Sequence, residues 1–502
     1  MSRALVWLLA FCACGGPQTS QGPASAEGAV EIVILYTSDE HGWIEPRIGE
    51  GVRQGGVAQL LELLEKTEKH CAGAMPGKPL PDCSDSSTLL LSGGDNYTGP
   101  AISTVYEGES MATAMRRLGY RASAFGNHEL DFGADRFMRN RDRSGISYLA
   151  ANVHKKDGAD TEWVEPFVIV ERRGVKLGIV GLATVTTPQT ASPHRFEGVV
   201  FEDPAEALAR TVPIVWKAGV DAVLVIAHEC HDIIEPVVRA YPEWRLSFVG
   251  TGHCHRTSVE VVNGAPVIGP DWRLDHYARV HLKIDRSQPQ RERAKVIHYE
   301  LVDVASPSNA PLPSADAELD RAIAEWHARV ERELGEVIGF SKSGFDKHAP
   351  MLSAWITGAW RAHFKADVAI TSRGALRQEV LPGKITAATV ASVLPFENEL
   401  VVCEIPGAAL VEILGHPEAL FSGVSRKDKT WVDSDGKPID EARRYRLVTT
   451  DFLFYGGDGF RIREYDPNPN MTGIGWREPV IEWTRAAGST VARPLESLVD
   501  GK

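Results

Sequence analysis

From residue 29 to about residue 303, short apolar runs alternate with stretches whose apolar residues recur every three or four positions. The runs EIVILYT (31–37), TLLLSG (88–93), ASAFGN (122–127), VKLGIVGL (175–182), DAVLVIAH (221–228) and LSFVG (246–250) have the length and content of strands. VAQLLELLEKTEK (57–69) and PAEALARTVPIVWKAG (204–219) have helical spacing. This alternation predicts a layered α/β domain with helices covering a sheet. HYARVHLKID (276–285) and VIHYELVDV (296–304) read as antiparallel strands that finish it.

ASPSNAPLPS (305–314) has the composition of a linker, and residues 316–339 read as a charge-patterned helix with a solvated face. A second α/β region follows, with no repeat relating it to the first. The expected organisation is a domain over 29–304, a linker and helix over 305–339, a smaller α/β domain over 340–486 and a tail over 487–502. Length agrees: 502 residues exceed what one hydrophobic core sustains.

At 43% hydrophobic and 24% charged the composition is that of a soluble globular protein. The formal net charge of -13 argues against a surface that coats a nucleic-acid polymer, which needs Lys and Arg to replace counterions. The N-terminus, residues 1–14, has a basic start and a short apolar run, the pattern of an export signal, and a Gly/Pro/Ser-rich tether follows over 15–28. Phe11-Cys12-Ala13-Cys14 resembles a bacterial lipoprotein box with Phe in place of Leu. Cys14 is therefore a candidate lipid anchor, and a plain signal peptide is the alternative. Both readings place the mature protein in the periplasm or cell envelope. Cys71 and Cys83 bracket a Pro/Gly-rich loop and are expected to form a disulfide there. Cys230, Cys254 and Cys403 read as small buried side chains. The sequon Asn96-Tyr97-Thr98 abuts Asp95 and reads as chance.

Polar residues follow the apolar runs at regular points: Asp39 and His41 after the first, Asp95 after the second, Asn127, His128 and Asp131 after the third. His228 closes the fifth, and His253 and His255 follow the sixth. Carboxyl ends of strands in an α/β sheet converge on one edge, where ligands bind. Imidazole with carboxylate suits borderline divalent metals such as Zn or Mn, and no four-cysteine zinc pattern competes. Each piece alone is weak; five in this order are not.

YTSDEHG, SGGD, FGNHELDFG, IAH and GTGHCH resemble the signature of the calcineurin-like metallophosphoesterases. Within these, the chain is similar to the 5'-nucleotidase / UDP-sugar hydrolase / 2',3'-cyclic phosphodiesterase family. The resemblance implies a metallophosphoesterase sandwich and two divalent metal ions, one on Asp39, His41, Asp95 and His255 and one on Asp95, Asn127, His228 and His253. It further implies hydrolysis at phosphorus by metal-activated hydroxide, with His128 and Asp131 as a catalytic dyad. Glu129 has no chemistry assigned by it, and His231 and Cys254 match no ligand position.

In the C-terminal region the resemblance implies a substrate pocket for a nucleotide or related small phosphoester. Arg377 stands for a phosphate- or carboxylate-binding arginine, Phe396 and Phe452 for rings that flank a base, and Asn398, Gly423 and Asp458 for further contacts. Core packing is the competing reading of both phenylalanines. The chain departs from the family in two places. Ser372 stands where the family has asparagine, and His348 where it has a second phosphate-binding arginine; Arg373, Lys342 and Lys347 are the nearby cations. The expected activity is a 5'-nucleotidase-like hydrolase. A 2',3'-cyclic phosphodiesterase, a UDP-sugar hydrolase, a thiosulfohydrolase-like enzyme and a metal-dependent binding protein without turnover are the alternatives.

Overall fold

The computed structural model describes residues 28–49, 51–310 and 316–499, so the expected export signal, Cys14 and nearly all of the tether lie outside it. Among the described residues no helix is long and apolar enough to cross a membrane.

The first domain is built on two six-stranded sheets that face each other. One runs, in spatial order, Ala294–Asp303, His276–Ile284, Val30–Thr37, Thr88–Ser92, Ala122–Ala124, Ser147–Leu149. The other runs Thr257–Val262, Ala265–Pro270, Phe248–Gly250, Ala222–His228, Val175–Ala183, Phe167–Arg172. The strands that precede the candidate ligands are parallel within each sheet. The two C-terminal strands pair antiparallel, as expected.

Strand Val30–Thr37 shows how the apolar pattern is used. Ile32, Ile34 and Tyr36 enter the layer between the sheets with Leu224, Ile226 and Phe248. Leu35, on the opposite face, joins Leu60, Leu64, Met111 and Met115 of the helices Val57–Lys66 and Glu109–Leu118. In the second sheet Val223 and Val225 turn outward to Leu208, Val215 and Ile234 of the helices Pro204–Lys217 and His231–Ala240. The order is helix, sheet, sheet, helix. Strands covered on both faces have no solvent side to carry polar residues, which is why the runs are nearly unbroken.

The described part of the segment expected as a linker, residues 305–310, is built into this domain. Ala305–Pro307 pairs antiparallel with Val52–Gln54. The helix Ala317–Leu334 then lays Leu319 and Val330 into the first domain's core. Its charged residues face solvent, as read, while its apolar face joins the first domain's core, to which Ala388 and Ala391 of the second domain also pack.

The second domain has a five-stranded mixed sheet in the order Ala419–Ser422, Val368–Ser372, Arg444–Thr450, Glu399–Pro406, Asn470–Gly475. Helix Pro350–Phe364 buries Trp355 and Trp360 against one face. Their indole N–H groups donate to Thr484 Oγ1 and to the Trp476 carbonyl, both at 2.8 Å, so neither buried ring leaves an unpaired donor. Helix Gly407–Leu414 covers the other face with Leu410 and Ile413. The expected tail, described to residue 499, packs on this domain. Leu495 is fully buried, and the Glu496 carboxylate accepts from Ser341 Oγ at 2.7 Å and from the Ser343 amide at 2.8 Å.

Cys71 and Cys83 form the expected disulfide. Beside it, His70 is buried, with Nε2 donating to the Leu118 carbonyl at 3.1 Å and Nδ1 facing Thr88 Oγ1 at 2.8 Å. Burial pushes this imidazole down to about 4. Because the unfolded chain binds the proton more readily, the stabilising effect of a neutral His70 is complete above about pH 6.5 and is lost as pH falls toward 4. The loss is on the order of 3 kcal/mol. Denaturant unfolding of the chelator-treated protein between pH 7 and 4 should therefore be steeper in pH for the wild type than for His70→Gln, by about one proton.

Candidate metal centre and base pocket

The parallel strands deliver all seven candidate ligands to one edge of the sandwich. Asp39, His41 and His255 form one group and Asp95, His228 and His253 a second, each with its ligand atoms within 4.8 Å of one another. Asp95 lies between them, with Oδ2 3.2 Å from His228 Nε2 and 3.6 Å from His41 Nε2. Asn127 donates through Nδ2 to the Thr190 carbonyl at 3.3 Å, which turns its Oδ1 to 3.1 Å from His228 Nε2.

The donor set fits cations. His41 Nδ1 donates to the Thr98 carbonyl at 2.9 Å and His228 Nδ1 to the Gly93 carbonyl at 2.8 Å. Each bond fixes the ring so that Nε2 faces the cluster, the arrangement in which a backbone carbonyl orients a ligating histidine. Burial pushes His253 down to about 3 and holds His41 and His255 below their ordinary value, the neutral form that a ligand needs. At His228 burial acts in the same direction, but the Asp95 carboxylate outweighs it and drives the ring up to about 10. The site thus draws positive charge to the point where Asp95 and His228 meet.

The backbone is strained at the ligand candidates. Asp39, His41, Asp95, His253 and His255 all have left-handed φ, between 44° and 66°. Such residues cost of order 1–3 kcal/mol each and cluster where function demands them. Gly126 is required by close approach, since a Cβ there would lie 2.1 Å from Asp95 Oδ1.

Two buried acids that the sequence left without a role hold the ligand loops together. Glu129 accepts from the amides of Gly126, Asn96 and Asp95 at 2.6, 2.8 and 3.2 Å. Glu40 accepts from Ser92 Oγ at 2.9 Å and Asn96 Nδ2 at 2.7 Å. Asn96 is thereby fully buried and committed to this network, in keeping with the sequon's being chance.

His128 Nδ1 donates to Asp131 Oδ2 at 2.9 Å, and the backbone amide of His128 donates to Asp95 Oδ1 at 2.9 Å. Burial disfavours a charged ring, yet Asp131 and Asp95 together hold His128 above its ordinary value.

A cavity between the domains is lined by Asp95, Asn127, His128 and Asp131 on one side and by Arg377, Phe396, Asn398, Phe452 and Asp458 on the other. Phe396 and Phe452 are half-buried: each packs against a core cluster of the second domain and also lines the cavity. Phe396 stacks on His128 with ring centroids 5.1 Å apart. Arg377 reaches across to the ligands, its Nη2 2.9 Å from His41 Nε2. Asn398 Nδ2 donates to Asp451 Oδ1 at 2.7 Å.

Gly423 departs from expectation. It does not line the cavity; it packs where a Cβ would meet the Asp367 carbonyl at 2.2 Å. His348 is exposed and Arg373 turns to the carbonyls of Glu418 and Pro417. Of the cations considered, Lys347 is the one near the site: its Nζ lies 4.6 Å over the Trp272 ring, and burial, with Arg377 nearby, pushes it down to about 8. The first domain adds Arg195 to the cavity wall, a residue that no periodicity or spacing marks in the sequence.

Cys230 and Cys254 are not the separate buried thiols expected. They form a disulfide beside the ligands, whereas Cys403 is free and buried as read.

Residues 336–464 match the 5'-nucleotidase, C-terminal domain family. The silent protein UshA(0) of Salmonella typhimurium is 25% identical over 88% of this chain and 89% of its own. A 5'-nucleotidase of Vibrio cholerae is 23% identical over 92% and 90%. The fold matches the crystal structure of a 5'-nucleotidase precursor from Thermus thermophilus, with a TM-score of 0.76, 22% identity and coverage of 92% and 97%. The chain is thus similar over most of its length to proteins named UshA and 5'-nucleotidase, and its C-terminal region matches the 5'-nucleotidase C-terminal domain family, in line with the resemblance of its motifs.

Proposed function

We propose that this chain is an exported phosphoesterase that hydrolyses nucleotide phosphoesters with two divalent cations, one on each ligand group and Asp95 shared. The observation that carries the reading is a single cavity in which members of both ligand groups (His255 of one, Asp95 and His253 of the other), a His–Asp pair, Arg377 and two half-buried phenylalanine rings meet. The enzymes to which the chain is similar include proteins named 5'-nucleotidase, which supports nucleotides as the substrate class.

Bound at these groups, divalent cations such as Zn or Mn acidify water and offset charge on phosphoryl oxygens. The chain's own residues do the rest. Asp131 holds a proton on His128 Nδ1, which leaves Nε2 of the imidazolium to stabilise a phosphoryl oxygen or to protonate a departing alkoxide. Arg377, reaching the ligand shell from the second domain, offers a planar fork to the phosphate. Phe396 and Phe452 present ring faces to a base, and Asn398 and Asp458 offer polar contacts beside them.

Protein loaded with Mn2+ or Zn2+ should release phosphate from AMP and UMP, or sugar phosphate from UDP-glucose. Inactivity on all three with metal demonstrably bound removes the nucleotide assignment. Base stacking is worth roughly 1–3 kcal/mol. Phe452→Ala should accordingly lower kcat/KM for AMP about 5- to 150-fold while sparing glycerol phosphate, which has no base.

A further inference from the structure

The Cys230–Cys254 disulfide joins two segments that both carry ligand candidates. Cys230 follows His228 by two residues at the end of strand Ala222–His228, and Cys254 sits between His253 and His255. The turn that bears those two histidines has no regular structure from Gly252 to Arg256. Its backbone bonds are few: the Gly252 amide to the Glu229 carbonyl at 3.1 Å, the Cys254 amide to the Gly252 carbonyl at 2.7 Å, and the His253 amide to the Asp39 carboxylate at 3.0 Å. His253 and His255 are both left-handed, at φ 66° and 50°, a conformation that persists only where the surroundings impose it. Asp39 is itself a ligand candidate. The disulfide is the covalent restraint on this strained turn, and it ties the turn to the strand that supplies His228.

We propose that Cys230–Cys254 is a positioning clamp that presets His253 and His255 for the cations, so that thiol–disulfide exchange at this bond governs how tightly the protein holds them. The inference rests on the two-cation reading above. Cys254 is exposed and Cys230 half-buried, so a small dithiol can reach the bond. One thiolate of the dithiol attacks a cysteine sulfur, breaking the S–S bond and forming a mixed disulfide. The second thiolate displaces the remaining cysteine. Two electrons and two protons pass to Cys230 and Cys254, and the dithiol becomes a cyclic disulfide. Once released, the turn is free to leave its left-handed conformation and withdraw the two imidazoles.

The test uses full-length holoprotein with its Zn or Mn content measured first; a wild type that retains no metal refutes the two-cation reading itself. Wild type, dithiothreitol-treated wild type, Cys230→Ala/Cys254→Ala, and a Cys71→Ala/Cys83→Ala control are then titrated with chelator. Reduction or loss of the clamp should lower the chelator concentration that removes half the metal about 10- to 100-fold. The control should match wild type until dithiothreitol is added. Excess metal should restore kcat with KM unmoved, which a variant that merely misfolds does not show. Equal metal retention in oxidised and reduced protein overturns the proposal. So does capture of an extra metal equivalent by the freed thiolates, since Cys230, Asp232 and Cys254 lie close enough to hold one.

Discussion

Asp95→Ala should abolish hydrolysis, lowering kcat/KM at least about a thousandfold, and should strip metal from both ligand groups rather than one. Asp95 Oδ2 lies within reach of His228 on one side and His41 on the other, so a single truncation removes charge from both. It also releases the His128 amide, which Asp95 Oδ1 anchors at 2.9 Å. Metal analysis of the purified variant beside its initial rates decides the matter. Retention of full metal with wild-type rates would remove Asp95 from the centre. Loss of one equivalent only, with the other held as in wild type, would place Asp95 in a single site.

His128→Ala should behave differently. Its side chain pairs with Asp131 and stacks on Phe396 and belongs to neither ligand group, so metal content should stay at the wild-type level. The rate on AMP, whose leaving group is an alkoxide, should fall about 10²- to 10³-fold, within the range of positioned acid catalysis. The rate on p-nitrophenyl phosphate should fall far less, because that leaving group departs without a proton. Equal losses on both substrates would assign His128 to phosphoryl-oxygen stabilisation alone and exclude a proton transfer.

What made the ligand candidates readable is that each follows a strand, and parallel strands bring their carboxyl ends together whatever their order in the sheet. Asp39, Asp95, Asn127, His228 and His253 needed no knowledge of neighbours to be found. The features that went unread all depend on such knowledge. Glu40 and Glu129 act through amides of loops distant in sequence. Cys230 meets Cys254 because strands Ala222–His228 and Phe248–Gly250 are adjacent, a pairing that apolar runs alone do not encode. Arg195 enters the cavity from a short 3-10 turn, and a turn has no period. The helix Ala317–Leu334 was legible as a helix from its pattern, but its allegiance to the first domain was not. Gly423, read from a motif, stands apart from the cavity, and its positive φ and close approach to the Asp367 carbonyl serve the second domain's packing.

All seven ligand candidates come from the first domain, and every ring offered to a base comes from the second. The chain therefore separates the means of breaking the bond from the means of choosing what carries it. Point changes over 340–486 that spare the residues reaching into the first domain are free to retune selectivity while leaving the ligand strands untouched, so the two properties can be varied largely independently in a directed-evolution library. Arg377 and Phe396 are the exceptions: one reaches His41 and the other stacks on His128, so their alteration is subject to both demands at once.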